Sequence, residues 1–203
     1  MTTQKKYELL QNDTINHNGR TLYRIKAITT FGTVFAGTLG GYIEKESNLK
    51  HLGNAWVYDN AKVYDSAKVY DSAEVYGNAE VWGSAEVYGN AKVWGNAEVW
   101  GSAEVYGNAK VYDSAEVWGS AKVRSFAVLS ERKMIFWASN VGTENGTLTV
   151  YNGKDGLLVT RGCFTGTVEE FLAKSDEVHD EKTKREYQLL IEVAKSRILG
   201  EAT

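Results

Sequence analysis

From Ala55 to Arg124 the chain repeats one six-residue pattern without slippage. Ala comes first, then usually Lys or Glu, then Val, then Tyr or Trp, then a pair such as Gly-Asn, Gly-Ser, Asp-Ser or Asp-Asn. Val recurs at 57, 63, 69, 75, 81, 87, 93, 99, 105, 111, 117 and 123. Small apolar residues alternate with charged and aromatic ones, the period-two signature of a strand with one buried face. Ala and Val therefore point inward, and the Lys/Glu and Tyr/Trp positions point outward. The closing pair is made of residue types that accept tight or left-handed backbone, so it turns the chain. Four-residue strands with two-residue corners suit neither a hairpin meander nor an open parallel sheet, which needs long crossovers. A coil of short strands stacked in register, a β-solenoid, satisfies every repeat at once.

The corners give the length of a coil. Their second position runs Asn60, Ser66, Ser72, Asn78, Ser84, Asn90, Asn96, Ser102, Asn108, Ser114, Ser120. Compared three repeats apart, six of eight pairs are identical; compared four apart, none of seven is. Three repeats per coil give a triangular prism with 18 residues per turn. One face then carries Tyr58, Tyr76, Trp94 and Tyr112, beside Trp56, Glu74, Lys92 and Lys110. The second carries Tyr64, Trp82, Trp100 and Trp118, beside Lys62, Glu80, Glu98 and Glu116. The third carries Tyr70, Tyr88 and Tyr106, beside Lys68, Glu86, Glu104 and Lys122. At about 4.8 Å per coil, four coils make a rod roughly 19 Å long.

The flanks divide the chain into a capping module over 1–53, the solenoid over 54–126 and an α+β module over 127–203. In the first, Tyr7–Leu10, Thr21–Ile28 and Gly32–Phe35 read as short strands, with turn signals at Asn12-Asp13 and Asn18-Gly19. Leu39 lies one coil length before Val57, and Ile43 and Leu49 are placed to fill an irregular first coil. A solenoid exposes unpaired backbone at its end, so a cap is expected. In the third module, Met134–Val141, Thr147–Asn152 and Leu157–Cys163 read as three strands. Thr167 and Glu170 form a capping box that opens a helix. A second helix covers about 181–198, with Tyr187, Leu190, Ile191, Ala194 and Ile198 as its apolar stripe.

Val followed four residues later by Ala, as in Val75-Tyr76-Gly77-Asn78-Ala79, resembles the hexapeptide motif of left-handed β-helices of the LpxA-like superfamily. The resemblance, not the periodicity, implies the left hand. The expected fold is thus mainly β: a left-handed triangular β-helix with an N-terminal β cap and a C-terminal α+β module. Gly40-Gly41-Tyr42-Ile43 through Leu49, then Gly53-Asn54-Ala55-Trp56-Val57, resembles the lead-in of YdcK-like hexapeptide solenoids, which are common in phage and prophage genomes. Gly162-Cys163-Phe164-Thr165-Gly166-Thr167-Val168, with His179, Tyr187 and Ile191, is similar to the tail many such phage proteins carry. These flanks imply family membership and bring no activity with them.

Composition narrows the class. Apolar residues at 43% and charged residues at 24% fit a soluble globular chain. Net charge is −3, and residues 55–124 hold six Lys/Arg against ten Asp/Glu, so no basic footprint for nucleic acid exists. Cys163 stands alone, so no intrachain disulfide framework exists. The start lacks the apolar run of a signal peptide and nothing reads as a membrane span, so cytoplasm, that of a host cell for a phage protein, is the expected location.

Many enzymes of the resembling superfamily are acyltransferases that use a His near a subunit interface and loops extruded from the coil. Here the repeats contain neither His nor insertion; the histidines are His17, His51 and His179. Their spacing gives no zinc site, and no cofactor is expected. Cys163 and His179 admit a nucleophile–base reading, but Cys163 at the end of a strand reads better as a buried structural thiol. The least ordinary feature is the outward aromatics. Strand propensity and stacking explain much of the pattern. They explain less well the column Trp82, Trp100 and Trp118, with Tyr64 at its head, beside the like charges Glu80, Glu98 and Glu116. These seven residues are the expected contact surface for a copy of the chain or another partner. Trimers are common in the resembling superfamily, so a homotrimer is the first expectation and a host protein or small molecule the second.

Overall fold

The structure, a computed structural model, describes residues 4–200. Three parallel sheets wrap one triangular coil, and strands three repeats apart are hydrogen-bonded neighbours. Val57, Val75, Val93 and Val111 stack in one column, extended by Leu129. Val63, Val81, Val99 and Val117 form the second, and Val69, Val87, Val105 and Val123 the third. Every one of these Val side chains, and every Ala that opens a repeat, is fully buried. Small and β-branched residues are what a narrow prism can pack at close density.

The first residue of each corner is left-handed. Gly77, Gly83, Gly89, Gly95, Gly101, Gly107 and Gly119 lie at φ between 67° and 73°. Asp59, Asp65, Asp71 and Asp113 take the same place at φ 53° to 59°. The Asp corners sit mostly in the first coil for a further reason. Asp59, Asp65 and Asp71 accept hydrogen bonds from the amides of Gly77, Gly83 and Gly89 directly above them.

The N-terminal segment closes the lower end. Tyr7–His17 and Arg20–Ala27 form a hairpin turned by Asn18-Gly19, both at positive φ. Leu39–Ile43 joins this hairpin to the second face, where Ile43 pairs with Val63. Three details depart from the sequence reading. Asn12-Asp13 is no turn; the strand runs on through an irregularity between Leu9 and Thr14. Gly32–Phe35 is no strand; Gly32 at φ 50° makes a tight loop closed by a Phe31–Val34 bridge. Leu39 is exposed, and Gly40 and Gly41 approach the coil instead. A Cβ on either would come 2.5 Å from a carbonyl of the first coil, Val57 or Ala61. Trp56, at an outward position, is fully buried beneath Tyr7 and Phe31.

The upper end is closed by a four-stranded antiparallel sheet: Ile135–Val141, Gly146–Gly153, Gly156–Arg161 and Phe164–Thr167. The fourth strand escaped the sequence reading because Gly162-Cys163 is a two-residue turn rather than the end of a strand. Cys163 is therefore exposed, not buried. One side of the sheet, with Ile135 and Tyr151, seals the Val core; the other, with Leu148, Val150 and Val159, packs on two helices. These are α1, Val168–Val178, and α2, Glu181–Leu199. Thr167 and Glu170 form the reciprocal cap of α1, and Asp180 caps α2.

The corner geometry is testable. A Cβ on Gly83 would lie 3.0 Å from the Gly101 amide nitrogen at a φ of 70°. Gly83→Val is expected to cost about 1–2 kcal/mol for left-handed backbone, or about 2–8 °C of melting temperature. Gly83→Asp should cost less, since Asp already fills the equivalent corner at Asp65 with φ 58°. Equal melting of the two variants would contradict this account of the corner.

Candidate interaction face

On the second face the aromatic rings stack along the rod axis. Centroid separations are 5.8 Å for Tyr64–Trp82, 5.0 Å for Trp82–Trp100 and 5.8 Å for Trp100–Trp118. The planes are parallel within 9°. Each ring thus covers its neighbour's face, and the ring edges look outward. The ends of the column are closed by the protein itself. Tyr64, only 4% exposed, lies under the hairpin with Leu22, Tyr42 and Ile15. Trp118, 44% exposed, meets the edge of Trp137 at 4.5 Å.

The carboxylates beside the column are not alike. Glu80 accepts from Lys62 at 3.0 Å, from the Tyr64 hydroxyl at 3.2 Å, and pairs with His17 at 3.0 Å. Burial pushes its carboxyl up, but Lys62 and His17 outweigh that and hold it below the usual value. Glu116 is held by Arg132. Glu98 has no hydrogen-bond or ion-pair partner among the described residues. Burial, then the charges of Glu116 and Glu80, raise its carboxyl above the usual range.

The third face shows what Glu98 lacks. There Tyr70 donates to Glu86 at 2.8 Å and Tyr88 to Glu104 at 3.0 Å, each reaching sixteen residues ahead. Lys68 and Lys122 each pair with one of these carboxylates at 2.7 Å. The Glu86 carboxyl is held low, chiefly by its bond to Lys68. On the second face, Trp82 stands where a phenol would reach Glu98. The first face has a Lys92–Glu74 pair at 2.6 Å and one exposed ammonium, Lys110, unpaired among the described residues.

The three histidines each have partners within the fold. Nδ1 of His51 accepts from the Lys6 amide at 3.3 Å, and its Nε2 is buried 3.8 Å from Glu46, too far for a hydrogen bond. Burial lowers the pKa of this imidazole against the pull of Glu46. His17 serves Glu80, and His179 ends α1 with Nδ1 3.1 Å from the Ser175 hydroxyl. Neither nitrogen of His51 is thus presented to the 530 Å³ groove it lines with Leu49, Lys50 and Tyr70. Among the described residues no three His, Cys, Asp or Glu side chains gather as a metal site, and no helix is long and apolar enough to cross a membrane.

No family model matches the chain. Over 38 residues it is 50% identical to a protein described as "Uncharacterized acetyltransferase YdcK" from Escherichia coli (strain K12). The match covers 19% of this chain and 12% of that protein's length. A likeness of that extent fits a hexapeptide-repeat fold and does not reach an activity.

The isolation of Glu98 has a measurable consequence. With its folded pKa raised, the carboxyl holds a proton that the unfolded chain has already released, so stability falls as pH climbs from the unfolded value through the folded one. Glu98→Gln is expected to raise the melting temperature at pH 7 by about 1–2 °C. The gain should vanish below pH ~4, where both states are protonated. Glu86→Gln should do the reverse at pH 7. A loss of stability in Glu98→Gln would mean that a partner holds the charge.

Proposed function

We propose that this chain is a non-enzymatic binding or assembly protein of phage or prophage type, and that the tryptophan–glutamate face is its contact surface. The observation that carries the reading is Glu98: a half-buried, unpaired carboxylate between two others, beside a continuous column of indole edges. Tyr and Trp dominate binding hot spots because they bury large area at small entropic cost. Glu80 and Glu116, held by this chain's own cations, and Tyr64, under the hairpin, frame the patch. Trp82, Trp100, Trp118 and Glu98 form its centre.

A cyclic homotrimer is the favoured assembly. In such a ring the contact is heterologous, so the second face of one copy meets a different face of the next. The first face offers Lys110, the exposed ammonium, one coil from the height of Glu98. A host protein with basic groups is the second occupant the same chemistry suits. Through it, or through a small signalling molecule, the protein would counter a host defence.

Changing Trp82, Trp100 and Trp118 together to Thr keeps strand propensity and removes the indole surface. Light scattering should show a mass near three times 22.5 kDa for the native chain and near 22.5 kDa for the variant. A native chain that is a monomer and captures no partner, or a folded variant that keeps its mass and partners, sinks the proposal.

The printed name of the matched protein favours a second reading, an acyltransferase-like enzyme with an interfacial site. It predicts release of free thiol from acyl-coenzyme A in the presence of an acceptor. Thiol release abolished by His51→Ala in a folded protein would support it over the binding reading.

A further inference from the structure

The cavity in the C-terminal module belongs to neither reading above. Its volume is about 320 Å³, and it lies where Arg161 ends a strand, Cys163 makes the turn, and α1 and α2 pass behind. Its wall is aromatic: Phe164 lies 5.4 Å from Phe171, which lies 5.1 Å from Tyr187, which lies 5.3 Å from His179. These pairs meet tilted or edge-on; Phe171 and Tyr187 are buried, and Phe164 is the ring that stays half-buried at the cavity. Ligand sites of this kind are mostly apolar with a few placed polar groups, and this volume is at the small end of their range.

The placed polar group is Arg161. Its Nε donates to the Tyr187 hydroxyl and its Nη2 to the Val141 carbonyl, both at 3.1 Å. A guanidinium has five N–H donors, so the others, including both on Nη1, have no acceptor among the described residues. No carboxylate pairs with it among those residues. It lies flat against Gly146, where a Cβ would come 2.4 Å from Nη1. The rim adds Lys174, paired with Glu177 at 3.0 Å, and Glu144. Lys174 is thus balanced by Glu177, and the one cation of the lining without a carboxylate partner among the described residues is the half-buried Arg161 guanidinium, a group suited to two-point contact with an anion.

We propose that this cavity binds a small organic anion, a planar ring-sized body with a carboxylate or phosphate that meets Arg161. Phe164 takes the ring, backed by the buried Phe171 and Tyr187. His179, whose Nδ1 lies 3.1 Å from the buried Ser175 hydroxyl, has no partner for Nε2 among the described residues and supplies a second polar contact. Cys163 stands at the mouth and is the only cysteine in the chain, so its exposed thiol reports occupancy.

The test is the rate at which iodoacetamide alkylates Cys163 in the full chain, followed by intact mass. Benzoate, phenyl phosphate, benzyl alcohol and benzylamine are added in turn at equal millimolar concentration. Benzoate or phenyl phosphate should slow alkylation severalfold, while the neutral and cationic analogues leave it unchanged. Which of the two protects identifies the head group. Added salt should weaken the protection. Arg161→Gln should abolish it and Arg161→Lys should keep part of it. If Arg161→Gln melts early, Phe164→Leu, which trims the ring wall and keeps an apolar side chain, should reduce protection instead. No protection by either anion, or equal protection by benzylamine, overturns the proposal.

Discussion

A stack of parallel coils leaves its first and last backbone turns unpaired, and buried backbone groups without partners are costly. The two flanks answer that demand with opposite resources. At the lower end, open carbonyls need donors. Lys6 supplies its ammonium to Ala55 and Gly53, Asn48 its amide to Ala67 and Asp65, and Arg24 a guanidinium N–H to Asp59. Burial depresses the Lys6 pKa to about 8, the mark of a charge held in place by carbonyls rather than by a counter-ion. At the upper end, open amides need acceptors. Lys122 and Arg124 donate to the hydroxyls of Thr149 and Tyr151. These contacts give partners to backbone groups that the first and last coils would otherwise leave open.

Those faces obey a rule set by the coil length. Residues 18 apart are vertical neighbours, so each outward Lys or Glu has its opposite charge one coil away where the sequence supplies it. Tyr reaches diagonally to the Glu sixteen positions on. An exposed ion pair alone contributes little. A phenol, an ammonium and a carboxylate meeting on a rigid sheet form a network whose members need not be ordered anew. Trp in place of Tyr breaks the diagonal link, and Glu in place of Lys breaks the vertical one. The second face does both at Glu98.

How much of this was legible follows from where the chain is periodic. The columns of Val, the three faces and the stacking of Trp82, Trp100 and Trp118 were readable because one residue's environment repeats every six positions. The cap of α1 was readable because a capping box is local. The flanks were less so. Gly32–Phe35 has strand-like residues, yet Gly32 takes a positive φ that sequence alone does not announce. Cys163 looked buried because it stood at the end of a predicted strand, while the turn at Gly162-Cys163 moved it outward. The fate of Tyr64 was hidden because the hairpin that covers it lies forty residues earlier in the chain. Glu98 as the unpaired member of its row was legible only in part. Like charges at 80, 98 and 116 were plain, and so was Lys62 one coil from Glu80, but His17 and Arg132, which further relieve the outer two, come from the flanks.

This distinction separates the outward residues that the coil geometry explains from those that it does not. Where every level of a design agrees, a residue is explained by the fold. Tyr70, Glu86 and Lys68 are explained in that way, since each completes a bond the coil geometry offers. Glu98 is not: a Lys there would pair with both neighbours, and a Tyr at position 82 would donate to it. The stable choice was available at both positions and appears on the adjacent face. A rod that needed only to stand would gain from it, and that difference between the two faces is what the proposed contact surface rests on.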